Sequence, residues 1–384
     1  CAFNIGNMNI LLVSLTFPPE HCPSGYMINE LAMEFHKKGH QVTVITGFPN
    51  HPSGVIFNGY RKHFWQIELI NGIRVVRGWI FTSPNRNKIN RILNFLSFTI
   101  SSSLAMLFSK RNDIMFAFLE PLTNGLTYPL IGWIKKTKII FSIQDLHPDS
   151  EIDMGYISNK ILIKSLRLIE KFSYKRANHL CAICNTFKEH IIRKGISPSK
   201  ISVLPNWIDT NEIRPLSREN EFRKRCGLAN NDFVILYAGT IGYASGAFVL
   251  IEVARLLKRI PDIKFLFIGE GPILNKMHFF SEREKLQNML YLPFQPRELV
   301  PLIQATSDIS IVTMASGWAK KSVGFASKIL GYMAAARPIV AAVDVDSEMA
   351  FIINKAECGI VVSPHDAKKI ADSIFSIIKS PTLR

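Results

Sequence analysis

The sequence predicts an α/β protein made of two doubly wound domains, and three observations point there. The chain has 384 residues, too many for one small core and suited to two domains of ordinary size. It opens as strand, loop, helix and strand, from Asn9-Ile10-Leu11-Leu12-Val13 to Gln41-Val42-Thr43-Val44-Ile45. Near its end, Ser327-Lys328-Ile329-Leu330-Gly331-Tyr332-Met333-Ala334 reads as a helix capped by the Ser327 side chain and stopped by Pro338. The run Ile339-Val340-Ala341-Ala342-Val343 then reads as a strand of a parallel sheet covered on both faces.

Composition narrows the partners. Hydrophobic residues make up 47% of the chain, enough for a sizeable interior, and the net charge is +16. The charge is uneven: residues 1–205 carry 24 Lys+Arg against 12 Asp+Glu, and residues 206–384 carry 22 against 18. An anionic partner is therefore expected, mainly at the first half. The basic residues are dispersed or flank apolar runs rather than forming a stripe interleaved with aromatics, which disfavours nucleic acid. Six cysteines do not make a disulfide framework at this length, so a reducing, cytoplasmic setting is expected. Cys181-Ala182-Ile183-Cys184 has metal or redox spacing, but it lies in an apolar run with no second pair and reads as two packed thiols. The residues before Met8 lack a charged stretch followed by an apolar one, so a secretory signal is not expected and Met8 reads as the natural start.

Taken in order, residues 17–25 hold three prolines and read as a non-helical loop, followed by a helix from Tyr26 to Lys38 that stops at Gly39. Between Arg86 and Lys110 the run from Asn94 to Phe108 is apolar, broken by serines and flanked by Lys88, Arg91 and Arg111. It is short for a membrane span and has two readings: a helix lying in a membrane interface, or a buried helix with basic ends. Trp133-Ile134-Lys135-Lys136 adds a second aromatic-basic cluster. The strand Ile139–Ile143 leads into Gln144-Asp145-Leu146-His147-Pro148-Asp149-Ser150-Glu151, a polar loop where doubly wound sheets place chemistry. Asp145 is the candidate there. Asp149 and Glu151 also fit capping roles ahead of a helix from about Lys160 to Lys175.

Asn206 begins the second domain. Strands Phe233–Ala238, Lys264–Ile268 and Ile309–Val312 are followed by turns, and Gly239, Gly242, Gly269 and Gly271 let a phosphate approach the backbone. No GxGxxG motif is present in the opening loop, which disfavours a dinucleotide-dependent dehydrogenase. Asp344-Val345-Asp346 reads as a loop and cap rather than a metal site.

Several of these segments resemble the retaining glycosyltransferases of family four. They are the Pro18-Pro19-Glu20 loop, Lys38-Gly39-His40-Gln41-Val42-Thr43-Val44, Phe48-Pro49-Asn50-His51-Pro52, and Asp145-Leu146-His147-Pro148-Asp149. In the second half they are Pro205-Asn206-Trp207-Ile208-Asp209, Gly269-Glu270-Gly271-Pro272, Leu292-Pro293-Phe294, and Ser327-Lys328 with Tyr332-Met333-Ala334-Ala335. The branch is that of bacterial O-antigen and capsule enzymes, among them N-acetylfucosaminyl transferases. The resemblance implies a GT-B fold, with two Rossmann-like domains, 1–205 for the acceptor and 206–384 for the nucleotide-sugar, facing across a cleft. It implies Asp145 as a catalytic residue, and Ser24, Gly25 and Asp149 on the acceptor side. For the donor it implies Gly239, Gly242, Gly269, Glu270, Gly271, Phe294, Lys328 and Glu348. The expected substrates are a nucleotide-sugar, such as a UDP-linked N-acetylated amino sugar, and a lipid-linked saccharide. No metal or other cofactor is expected, and the protein is expected at the inner face of the plasma membrane.

Three features depart from the family pattern. Its two donor-site glutamates are Val323 and Gly331 here, its first phosphate loop carries Thr240 and Ser245 in place of basic residues, and its signature proline is Ala326. A missing ribose carboxylate costs about 1–3 kcal/mol unless replaced. Lys328, Lys320 or Lys321 could supply the cation and Glu348 the carboxylate. A UDP-sugar epimerase of the same fold and a basic anion-binding protein are the alternative readings.

Overall fold

The computed structural model describes residues 6–20, 22–60, 63–85, 87–153, 155–315 and 325–380. The chain divides into two compact units, Cys1–Asn206 and Trp207–Arg384. In the first, β1 (Asn9–Val13), β2 (Gln41–Gly47), β3 (Trp65–Ile70), β4 (Ile73–Gly78), β5 (Ile114–Phe118), β6 (Lys138–Ile143), β7 (His179–Ala182) and β8 (Ile201–Val203) form one sheet. Its order is β3-β4-β2-β1-β5-β6-β7-β8, and only the β3–β4 pairing is antiparallel among the described residues. The helices are α1 (Pro23–Lys37), α2 (Lys88–Phe108), α3 (Asn124–Lys135), α4 (Asp149–Asp153), α5 (Lys160–Arg176) and α6 (Asn185–Arg193).

In the second unit, β9 (Phe233–Ala238), β10 (Ile263–Ile268), β11 (Met289–Leu292), β12 (Ile309–Thr313), β13 (Ile339–Ala342) and β14 (Gly359–Val362) form a parallel sheet of order β11-β10-β9-β12-β13-β14. Its helices are α7 (Glu221–Arg225), α8 (Val249–Leu257), α9 (Leu274–Arg283), α10 (Val300–Thr306), α11 (Lys328–Ala334), α12 (Glu348–Lys355) and α13 (Ala367–Lys379). Period-two geometry explains the unbroken apolar strands. Phe233, Ile235 and Tyr237 of β9 enter one core cluster, and Val234 and Leu236 enter the other. The order reverses at β9, between β10 and β12, which is where such sheets bind ligands, at the carboxyl ends of the strands.

Local structure departs from the sequence expectation in several places. Residues 23–25 are helical: α1 starts at Pro23, because proline at the first helical position loses no needed N–H and brings a helix-ready φ. The serines do not interrupt α2, which is one helix of 21 residues, long and apolar enough to cross a membrane by length and composition alone. Ser327 makes no side-chain cap bond, since it sits in helical rather than extended backbone. Helix α11 stops well before Pro338. Arg337 N–H donates to Tyr332 O (3.1 Å) and Ala336 N–H to Met333 O (3.0 Å), with Ala336 left-handed at φ 51°. That is a Schellman stop with alanine where glycine is usual. Cys181 and Cys184 are buried thiols.

Helix α2 is unusual in which side it buries. Its inward face is Ser97, Phe98, Thr99, Ser101, Ser102, Ala105 and Met106. The hydroxyls bond to α3 and its cap: Ser102 with Tyr128 (2.7 Å), Thr99 with Thr123 (2.6 Å) and Asn124 (2.8 Å), Ser103 to Thr127 (2.8 Å). Its outward face is apolar, with Ile92, Leu96, Ile100 and Phe108 exposed. Helix α3 packs beside α2 and α5 beside α3. Both continue the pattern, with Leu130, Trp133 (82% exposed) and Ile134 on α3 and Ile161 and Leu168 on α5.

Candidate active site

The glycine turns expected to meet phosphate come together in the second unit. Gly239 follows β9 and Gly269 follows β10, at φ 123° and 148°. Gly239 N–H donates to Ile268 O (2.8 Å) and Ile241 N–H to Glu270 O (2.9 Å), so the two turns are zipped side by side. A Cβ on Gly269 would stand 2.0 Å from Gly239 O, and one on Gly271 2.4 Å from Ile241 O. Only glycine permits this approach.

Lys328, the first residue of α11, closes on the same junction. Its ammonium lies 3.8 Å from the centroid of the Tyr237 ring and 3.2 Å from where a Gly239 Cβ would be. Among the described residues no carboxylate pairs with it. A cation resting on an aromatic face keeps its charge available to an incoming anion. Tyr237 was not among the residues singled out by sequence, although its position just before a glycine turn is the signal. Its hydroxyl donates to Thr240 O (2.9 Å) and fixes the turn. Tyr332, buried on α11, accepts from Ala238 N–H (3.0 Å) and ties that helix to β9.

The other donor candidates line the same edge of the sheet. Gly242 leads into a short 3-10 turn, Glu270 and Phe294 are exposed after β10 and β11, and Glu348 begins α12 beyond β13. Thr240 is exposed, and Ser245 serves the loop itself: its hydroxyl donates to Gly242 O (2.6 Å) and its carbonyl accepts from Thr313. At position 331 a Cβ would stand 2.5 Å from the Gln304 amide, so a glutamate there would require that side chain to move. Lys320, Lys321 and Val323 lie outside the described residues.

In the first unit the acidic loop after β6 divides into two sets. Asp149 pairs with Lys194 (2.6 Å), His190 (2.9 Å) and Arg167 (3.4 Å), and Lys194 also pairs with Glu170. Burial opposes its ionised form, but His190 and Lys194 outweigh this and hold the Asp149 carboxyl well below the usual range. Structural ion pairs thus occupy a carboxylate expected on the acceptor side. His147 Nδ1 meets Glu151 at 2.6 Å. Burial alone would lower the His147 pKa, but Glu151, Asp145 and Glu120 push it up to about 9. Asp145 meets solvent on one side. Crowding by the protein raises its carboxyl above the ordinary value, Glu120 and Glu151 add to this, and His147 opposes it. Asp145, His147 and Glu151 therefore act on one another, with the Glu120 charge beside them.

Ser24 and Gly25 lie in the first turn of α1. Ser24 Oγ bonds Thr16 Oγ1 (3.0 Å), and a Cβ on Gly25 would meet Phe17 backbone at 3.2 Å. Glu20, buried beside them, accepts from Asn50 N–H and His51 N–H, both at 2.9 Å, and joins the two loops. The described residues contain no group of three or more His, Cys, Asp or Glu that could hold a metal ion.

Comparisons with known proteins agree with this architecture. Residues 24–212 match the family described as Glycosyltransferase Family 4, and residues 218–384 match Glycosyl transferases group 1. WcaI of Escherichia coli K12, named as a colanic acid biosynthesis glycosyl transferase, is 23% identical over 81% of this chain and 77% of its own length. An Escherichia coli UDP-Gal:alpha-D-GlcNAc-diphosphoundecaprenol alpha-1,3-galactosyltransferase is 27% identical over 41% of this chain and 43% of its own. Among solved structures, Anabaena HepE with UDP and glucose superposes at TM-score 0.70, with 15% identity over 98% of this chain and 91% of that one. The fold is GT-B.

Proposed function

We propose that this chain, whose two halves match Glycosyltransferase Family 4 and Glycosyl transferases group 1, moves a sugar from a UDP-linked donor to a lipid-linked saccharide in bacterial surface-polysaccharide synthesis. The second unit binds the donor and the first the acceptor. One observation carries the reading: Lys328 stands over Tyr237, with no paired carboxylate among the described residues, beside the Gly239–Gly269 junction. Departure of the nucleoside diphosphate builds negative charge, and a fixed cation with glycine-lined backbone beside it stabilises that charge. A metal is not needed, so chelation should leave turnover intact. Asp145, exposed after β6 and close to His147, is the side chain we assign to the acceptor proton. A donor carrying an N-acetylated amino sugar, of the N-acetylfucosamine kind, and retention of anomeric configuration fit the branch resembled. The diphosphoundecaprenol-linked acceptor in the galactosyltransferase relative's name supports a lipid-linked acceptor here.

The outward apolar face of α2, α3 and α5, rimmed by Lys88, Arg91, Lys110 and Lys164, supports a peripheral position on an anionic inner membrane leaflet. The test is turnover of a panel of UDP-sugars with polyprenyl-diphosphate saccharides, with product anomers assigned by NMR and Lys328→Ala as control. Product from donor alone would indicate the epimerase instead. Equal thermal stabilisation of wild type and Lys328→Ala by every nucleotide-sugar would sink the donor site.

A further inference from the structure

We propose that the first unit carries a second binding site, for the phosphate headgroup of an anionic phospholipid, in a groove at the C-terminal end of α2. The groove has a volume of about 500 Å³. Its floor is the sheet face that α2 leaves uncovered, with Trp65 and Ile67 of β3, and Phe108 at the end of α2 forms one wall. Arg74, Lys110 and Arg111 line it and are exposed. No aspartate or glutamate contributes to the lining. Asn9 and Gln41 also line it, so it opens at the starts of β1 and β2. Asp145, by contrast, follows the end of β6, at the other end of the parallel strands.

The chemistry of the groove selects an amphiphile. Among the described residues, Arg74, Lys110 and Arg111 pair with no carboxylate. Lys135 does not join them, because its ammonium is held by the carbonyls of Met106 (3.2 Å) and Leu107 (2.9 Å) at the end of α2. Asp113, the near acid in sequence, accepts from Asn9 N–H at 2.8 Å. Three cations thus face one phosphate. A soluble phosphate would use them and leave Trp65, Ile67 and Phe108 without a role. The Trp65 ring meets the Phe108 ring edge-on at 6.2 Å, and Phe64 meets Trp65 edge-on and stacks on Trp79. The apolar floor therefore meets α2 at Phe108, and the outward face of that helix also exposes Ile92, Leu96 and Ile100, along which acyl chains can lie. This inference rests on the reading that α2 faces a bilayer. It goes beyond it by naming where one lipid is gripped.

The experiment uses the full chain and phosphatidylcholine vesicles with or without phosphatidylglycerol, scored by co-sedimentation. Each cation is worth about fivefold near an anionic surface. Arg74→Gln/Lys110→Gln/Arg111→Gln should therefore weaken phosphatidylglycerol-vesicle binding by about 100-fold. Binding to pure phosphatidylcholine and the thermal shift given by UDP should not change. Lys258→Gln/Lys355→Gln/Lys379→Gln, of equal charge loss in the second unit, should retain binding. In solution, dihexanoyl-phosphatidylglycerol below its micelle concentration should quench tryptophan fluorescence in wild type and not in Trp65→Leu. Inorganic phosphate at the same concentration should not. A triple variant that keeps its preference for phosphatidylglycerol overturns the site, as does inorganic phosphate that binds as tightly as the lipid. Wild type that ignores all vesicles yet binds the short-chain lipid would refute bilayer docking and leave the groove standing.

Discussion

Helices α2 and α13 both lie against a sheet, yet they are built inside out relative to each other. Helix α13 buries Ala367, Ile370, Ala371, Ile374 and Ile377 and turns Lys368, Lys369 and Asp372 to solvent, as a helix in water should. Helix α2 buries serines and threonines and exposes Ile92, Leu96 and Ile100. In the first case docking is driven by removing apolar area from water. In the second, Phe98 and Met106 are buried too, but most of the contact is small residues and hydroxyl bonds, the means by which helices associate where the surroundings are themselves apolar. The comparison fits the function proposed above, in which one unit works on a soluble nucleotide and the other against lipid.

The largest expected effect separates those two tasks. Lys328→Ala should lower turnover by about 10²–10³, as removal of a charge-stabilising group does, while leaving vesicle binding intact. A joint loss in one assay series would break the separation. Next, Ile374→Ala in α13 should cost about 2–5 kcal/mol in urea unfolding, whereas Ile100→Ala in α2, at a position 60% exposed, should fall within about 0.5 kcal/mol. Similar costs would show that α2 is not inverted in solution. Ser102→Ala deprives the fully buried Tyr128 hydroxyl of its partner and should cost about 1–3 kcal/mol, more than the apolar change at Ile100.

Smaller effects refine the picture. The raised pKa of His147 means that the stability from its pair with Glu151 is fully present below about pH 6.5 and is lost as pH rises through about 9. The lowered pKa of Glu151 places the acid-side loss below the ordinary carboxylate range. Thermal melts across pH should show this alkaline fall in wild type and a flatter profile in Glu151→Gln. Ala336→Gly relieves the left-handed alanine after α11 and should stabilise the second unit by about 0.5–1 kcal/mol in the same unfolding assay.

The reading from sequence succeeded where one local signal sufficed. Apolar runs ending in glycine located β9 and β10, because a buried parallel strand needs an unbroken apolar stretch and the turn after it needs positive φ. The β3–β4 hairpin was also written locally, in Asn71-Gly72 with both residues at positive φ after the alternating run Trp65-Gln66-Ile67-Glu68-Leu69, and is missed by a reading that looks only for unbroken apolar strands. Asp149 could not be judged from its neighbours in sequence. Its partners Arg167, His190 and Lys194 lie 18, 41 and 45 positions away.

By itself, the order of residues determined the two doubly wound sheets, the glycine turns and the presence of a lysine at the start of α11, since each follows from periodicity or from backbone freedom over a few residues. Only the tertiary structure decided which residues surround Lys328, which carboxylates in the first unit are already paired, and which side of α2 faces outward. Those are contacts between segments distant in the chain. An amphipathic stripe has two faces, and its sequence does not say which one the rest of the protein covers.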